Sequence, residues 1–322
     1  MGSQKMKNSL MFMMYTDSTK NNITLSPRLS YDHSEPSYTS NVNITILSGT
    51  GISNNQMVIN AMCENCRSWK GGEIDPTNTK ASFIWANGPT ESLTSDSLTA
   101  DIKMHADYGV FQLDLTQAVG AAGVPVIATT DSSGSKQISY KTSSDGMVVA
   151  HAIFTILAFV AIMPLGVLIL RIFKSPKWHG YNQGASFVIA LVGLGLGFGS
   201  STEYNRSKNF SSAHQLFGIA ITIALAGQFV LGYMHHKVYK KTLATTKLAP
   251  IHVLLGRLVI PAGILNAFLG FPLALESASD GPLFGIVVAV VIILGAFSWW
   301  SRRRDEQHTM AIAARGSELG YR

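Results

Sequence analysis

Four histidines carry the chemistry of this chain: His151, His179, His214 and His252. Each lies in an apolar stretch, where an ionisable side chain is costly and usually functional. They follow one another at intervals of 28, 35 and 38 residues, one per stretch. A zinc site would draw three or four ligands to one depth. Two histidines at each of two depths would instead suit two planar macrocycles gripped by opposed imidazoles, as haem iron takes axial ligands from neutral imidazole. A lone interfacial histidine is as often a polar anchor, so the depths have to decide.

The elements that set those depths are membrane spans. Of the 322 residues, 47% are hydrophobic and 14% charged, against roughly 25% charged in an ordinary soluble domain. The shortfall is not evenly spread: residues 1–146 are polar and rich in Ser, Thr and Asn, whereas residues 147–300 are dominated by Leu, Ile, Val, Ala, Gly and Phe. Five runs there are long enough to cross a bilayer, at about 20 residues each: 147–173, about 179–199, 213–234, about 250–275 and 282–300. One set of connections holds Arg171, Lys174 and Lys177, then Lys237, Lys240, Lys241 and Lys247, then Arg302, Arg303 and Arg304. The opposite short loops hold only Arg206 and Lys208. The basic side is expected to be cytosolic, which places residues 1–146 outside. The glycosylation acceptors Asn22, Asn43, Asn205 and Asn209 all fall on that outer side. The net charge of +6 is spread over loops rather than one stripe, so topology accounts for it and no nucleic-acid partner is expected.

With direction assigned, His151 lies about 6 Å into the first span, and His214 opens the third at the same outer end. His179 and His252 open the second and fourth spans at the inner face. Depth alone therefore pairs His151 with His214 and His179 with His252. Gly193, Gly195, Gly197 and Gly199 leave room for a flat ring or for a neighbouring helix; the sequence does not choose between these. His235 and His236 fit neither pair and are expected in a solvated inner loop.

These single-histidine spans resemble the cytochrome b-561 core over about residues 147–275. The resemblance implies two b-type haems near opposite faces, held by the same two pairs, and electron transfer across the membrane. It implies ascorbate as the usual cytosolic donor, with ferric chelates or monodehydroascorbate as acceptors. Lys174, Lys177, Lys240 and Lys241 can attract an anionic donor or serve topology alone. Arg257 can meet a haem propionate or snorkel to the interface.

Residues 1–120 read as short strands separated by Asn, Gly, Ser and Pro clusters: SLMFMMYTD, NITLSPRLSY, VNITILSG, QMVINAMCEN, SFIWANG and GVFQLDL. That pattern predicts an antiparallel sandwich. The Met before SLMFMMY, the AMCENCRSW segment and the His-x-Asp-aromatic-Gly pattern at His105–Gly109 resemble the DOMON cytochrome domain of cellobiose dehydrogenases. That family binds one b-type haem between a Met and a His, which carries over here to Met6 and His105. Its sandwich normally has further strands upstream and a secretion signal before them. No signal peptide is visible in MGSQKMKNSLMFMMY, so the amino-terminal part of the domain is expected to be missing. Cys63 and Cys66 are the only cysteines; outside the cytosol a small disulfide is expected rather than zinc or a redox dithiol.

The expected architecture is an all-β sandwich of the truncated DOMON type (1–120), a flexible linker (121–146), a five-span helical bundle (147–300) and a cytosolic tail (301–322). The linker would hold the outer haem domain at high effective concentration beside the membrane haems. The expected protein is an integral, multi-pass electron carrier in contact with membrane lipid, with an extracellular or lumenal amino-terminal domain. If it is an enzyme, it is a haem-dependent ferric or monodehydroascorbate reductase; an oligomer is possible. A transporter, hinted at by Pro261 and Asn266 in the fourth span, and a receptor or adhesion protein are the alternatives.

Overall fold

The structure is a computed structural model that describes residues 1–89, 93–120, 123–124, 134–244 and 246–319. It divides into two units: Met1–Asp145 with Thr202–Asn209, and Gly146–Ser201 with Phe210–Arg322.

The first unit is strand-rich and made of small antiparallel sheets. β1 (Leu10–Thr16), β2 (Ile23–Leu29) and β3 (Ser37–Tyr38) form one sheet in that order. The β1–β2 hairpin is closed by Asp17, whose carboxylate accepts from the backbone N–H groups of Asn21 and Asn22 at 3.2 Å each, a local bond that turns the chain. β4 (Ile44–Ile46) pairs with β7 (Ala61–Cys63), β5 (Gly51–Ser53) with β6 (Gln56–Val58), and β8 (Ser68–Trp69) with β9 (Gly72–Glu73). The single strand expected at QMVINAMCEN is therefore two short ones with different partners. Asn60 breaks it: its backbone bonds to Thr50 and Leu47 rather than to a continuing strand.

β10 (Ala81–Asn87), β11 (Asp107–Leu113) and β12 (Ser135–Thr142) form the second three-stranded sheet. β12 corrects the expectation of a flexible linker over 121–146. Residues 121, 122 and 125–133 lie outside the described residues, but 135–142 pair with β11 along its whole length. Gly109 sits in register between Trp85 and Tyr140, whose rings lie 5.8 Å apart. A Cβ on Gly109 would collide with the Ser139 carbonyl and the Trp85 indole.

A buried ionic network fastens the segment that leads to His105. Arg28 is 1% exposed, and its guanidinium stands 3.5 Å from Glu35, while Arg206 reaches the other Glu35 oxygen at 3.9 Å. Glu35 also accepts from the Ile102 amide at 3.1 Å and the Asn205 amide at 2.9 Å. Arg28 donates to the Ala100 carbonyl at 2.6 Å, and Arg206 donates to that of Ile102 at 2.9 Å. Arg206 further stacks 4.1 Å over the Tyr204 ring. The Tyr204 hydroxyl donates to Asp145; burial and this bond push its phenol well above the usual range. Two buried cations share one carboxylate here, so the carboxylate is what makes their burial tolerable.

Among the described residues, the second unit holds five helical spans long and apolar enough to cross a membrane. The first is continuous over Gly146–Phe173 and consists of α1 (Gly146–Ile156), a π-helical turn over Leu157–Ile162 and α2 (Met163–Phe173). The Met163 N–H bonds back to the Ala158 carbonyl, and Pro164 follows. Proline has no N–H and clashes with the carbonyl four residues earlier; widening the turn by one residue relieves both. α3 (Pro176–Ser201), α4 (Ala213–Thr242), α5 (Leu248–Leu273) and α6 (Asp280–Leu319) follow. Ser212 caps α4 in a reciprocal box with Gln215. α5 runs unbroken through Pro261, unlike the interrupted helices of transporters. α6 continues through Arg302–Arg304 into the expected tail. The core of the bundle is Ala158, Phe159, Met163, Ala190, Ile221, Leu225 and Val259.

His235 and His236 are not in a loop, as expected from sequence. α4 continues well past the apolar run to Thr242, and His235 Nδ1 lies 2.7 Å from the Thr246 hydroxyl.

Removing the shared carboxylate tests the network. Glu35→Ala is expected to destabilise the first unit by about 3–5 kcal/mol, the cost of stranding a buried charge. The readout is hydrogen-exchange protection at the Ile102 and Asn205 amides; unchanged protection would contradict the assignment.

Candidate functional site

Three of the four bundle histidines are hydrogen-bonded to a backbone carbonyl of the helix beside them. α1 packs along α3, and α4 along α5. His151 Nδ1 lies 2.7 Å from the Gly193 carbonyl, His179 Nδ1 2.8 Å from that of Gly166, and His214 Nδ1 2.9 Å from that of Asn266. The Gln228 backbone interacts with the His252 ring, although His252 Nδ1 makes no bond of hydrogen-bonding geometry among the described residues.

These carbonyls obey a spacing rule. Gly193 is 14 residues after His179, Gln228 is 14 after His214 and Asn266 is 14 after His252. Fourteen residues advance a helix by about 21 Å. Each helix thus presents its own imidazole near one end and a carbonyl for its neighbour's imidazole near the other. Gly166 comes 15 after His151, because the π turn inserts one residue.

The glycines follow from the same contacts. A side chain in a helix covers the turn before it, so a ring reaching the carbonyl of residue n meets the Cβ of residue n+4. Gly197, Gly232 and Gly270 stand at that position. A Cβ on them would lie 2.7 Å from the His151 ring, 2.8 Å from His252 and 2.9 Å from His214. The alternating glycines of α3 are therefore not equivalent: Gly197 is required by His151, whereas Gly195 faces nothing within 4 Å.

The bonds also fix the tautomer. A carbonyl can only accept, so Nδ1 carries the proton in His151, His179 and His214, and a neutral ring then has its lone pair on Nε2. That is the second-shell arrangement of metal-ligating histidines. The His151 and His214 ring centroids are 5.9 Å apart, with planes crossing at 85°. Two imidazoles sharing one metal at bonds of about 2 Å would have centroids about 6 Å apart. His179 and His252 are within electrostatic reach of each other. The His151/His214 pair therefore fits an iron held between two imidazoles, and His179 and His252 bring a second pair of rings to the other end of the apolar core.

In the strand-rich unit His105 precedes β11. Its ring packs against Tyr108 at 4.7 Å. Ser143 donates its hydroxyl proton to the His105 carbonyl at 2.6 Å and stands 2.9 Å from His105 Nδ1. With that proton committed, the serine oxygen accepts from Nδ1–H, and His105 too presents a bare Nε2. Burial lowers its pKa, which favours the neutral form. Met6 lies half-buried a few residues before β1, whose sheet is a different one from that of β11, the strand that follows His105. Cys63 and Cys66 are joined by a disulfide, and Cys66 packs with Leu10 and Leu29. Asn22, Asn43 and Asn209 are exposed. Asn205 is not; its amide nitrogen donates to the Glu35 and Pro36 carbonyls at 3.4 Å each.

The glycine contacts give a paired test. Gly197→Val is expected to displace His151 and cost one haem per chain, while Gly195→Ala leaves haem content unchanged, both read by pyridine haemochrome assay. Equal haem in the two variants would sink the steric account.

Residues 1–122 match the family model described as the cytochrome domain of cellobiose dehydrogenase, and residues 150–275 match that of eukaryotic cytochrome b561. No curated protein and no solved structure matches the chain. Together the two family matches support haem-based electron transfer by an integral membrane protein. The chain is thus similar to the cytochrome domain of cellobiose dehydrogenase in its strand-rich part and to eukaryotic cytochrome b561 in its helical part.

Proposed function

We propose that the chain carries electrons across a membrane between a cytosolic donor and an acceptor on the opposite side. His151 with His214 and His179 with His252 each hold one b-type haem, and His105 with Met6 hold a third in the strand-rich unit. Bound haem supplies a one-electron Fe(III)/Fe(II) couple. The observation that carries this reading is the 5.9 Å separation of two imidazoles whose Nδ1 protons are both committed to backbone carbonyls.

The chain's own part is to keep the rings neutral, fixed in tautomer and shielded. The carbonyls orient them, the glycines admit them, and Ala158, Phe159, Ile221, Leu225 and Val259 exclude water between the two levels. Low polarity there disfavours the charged form of any group, so electrons cross more readily than ions. Lysines on the side of Lys174, Lys177, Lys240 and Lys241 attract an anionic donor of the ascorbate class, and that side is cytosolic by the excess of positive charge. Ferric chelates suit the opposite side. Asn22, Asn43 and Asn209 are the exposed acceptors for glycosylation.

The test uses the full chain loaded with haem in vesicles containing ascorbate. A reduced-minus-oxidised spectrum should show b-type bands that appear with internal ascorbate and fade when a ferric chelate is added outside. His252→Ala should bring that external reduction to the background of empty vesicles. Absence of b-type bands, or bands that ignore the far-side acceptor, would overturn the proposal.

A further inference from the structure

α4 and α5 carry one pattern twice: His214-x3-Gly218-x9-Gln228-x3-Gly232 and His252-x3-Gly256-x9-Asn266-x3-Gly270. The helices run antiparallel, so the repeats face each other in reverse. Gly270 lies under His214 and Gly232 under His252. The other two glycines lie under amides: a Cβ on Gly218 would be 2.9 Å from Asn266 Nδ2, and one on Gly256 would be 2.7 Å from Gln228 Nε2. Each histidine level therefore receives one carboxamide from the opposite helix, Asn266 beside His214 and Gln228 beside His252.

Both carboxamide oxygens, Asn266 Oδ1 and Gln228 Oε1, are buried without a hydrogen-bond partner among the described residues. A buried acceptor left idle costs about 1–3 kcal/mol. The same cost at two symmetry-related places marks a position kept for what the oxygen faces. The Asn266 side chain, besides its backbone carbonyl, interacts with the His214 ring. Asn266 thus brings both its backbone carbonyl and an idle amide oxygen to the His214 ring, while Gln228, whose backbone meets the His252 ring, carries its idle oxygen at the other level.

We propose that Asn266 and Gln228 are positioning residues that lower the reduction potentials of the haems held by His151/His214 and His179/His252. This rests on the haem-binding reading above. An oxygen near Nδ1–H draws the proton outward, makes the ring a stronger donor at Nε2 and favours the ferric state; its dipole acts in the same direction. Outer-shell partners of metal-bound histidine act in this way, and hydrogen bonding around the ligands is one of the protein's levers on potential. The two amides work separately because each addresses its own level.

The experiment is an optical redox titration of purified, haem-loaded full-length protein. Asn266→Leu and Gln228→Leu remove the oxygen and keep apolar bulk. Each is expected to raise one membrane couple by about a tenfold change in the ferrous-to-ferric ratio, which is 59 mV for a one-electron couple. The two variants should move different couples, and the double variant both. If Leu costs haem binding, Asn266→Ala and Gln228→Ala remove the oxygen without bulk beside Gly218 and Gly256 and should show the same shifts. Unmoved potentials at full haem content, or one couple moved by both variants, overturn this proposal alone. A wild-type chain that takes up no haem overturns the haem-binding reading with it.

Discussion

Everything in the helical unit depends on where a buried imidazole sends its Nδ1 proton. Left without an acceptor, that N–H costs about 1–3 kcal/mol, and a lipid-facing bundle has few free acceptors because the helices use their own carbonyls. A carbonyl has two lone pairs, however, and the intrahelical bond takes one. The second is reachable only where a neighbouring ring comes close to the backbone. The glycines at 197, 232 and 270 admit the rings, and the 14-residue offset follows from the two helices exchanging ring for carbonyl. Nε2 is left bare as a consequence in His151, His179 and His214.

The same exchange divides the bundle into a polar level near each end and an apolar middle. Phe159, held in the π turn, lies against Gly263, where a Cβ would collide with its ring. Val259 and Ile221 stand seven residues after His252 and His214, midway to the amides. The strand-rich unit solves an analogous problem with different parts. There a serine hydroxyl rather than a helix carbonyl takes the histidine proton. The segment before His105 is fixed by backbone bonds from Ile102 to Glu35 and Arg206.

Much of this was legible in the sequence because single-histidine apolar runs and alternating strands are local signals. The four histidines and their five spans could be read directly, as could β1, β2, β10 and β11. The carbonyl partners could not, since a backbone atom has no letter. Their trace was the glycine four residues further on, visible only once the helices are known to be neighbours. Asn266 was read as a hint of transport because its role lies in the opposite helix. β12 was hidden by SKQISYKT, a polar strand with little apolar alternation that pairs at a sheet edge. The Glu35 network was hidden by distance, as Asn205 is 170 residues from the carboxylate that accepts its amide.

The claim at the centre is that the histidines work in two pairs drawn from different helices. Low-spin ferric signals, recorded by electron paramagnetic resonance on haem-loaded protein with each of the four changed singly to leucine, test it most directly. The account predicts two classes of spectra: His151→Leu and His214→Leu lose one signal, while His179→Leu and His252→Leu lose another. Loss of the same signal by His151→Leu and His179→Leu, or no loss in any variant, would contradict it.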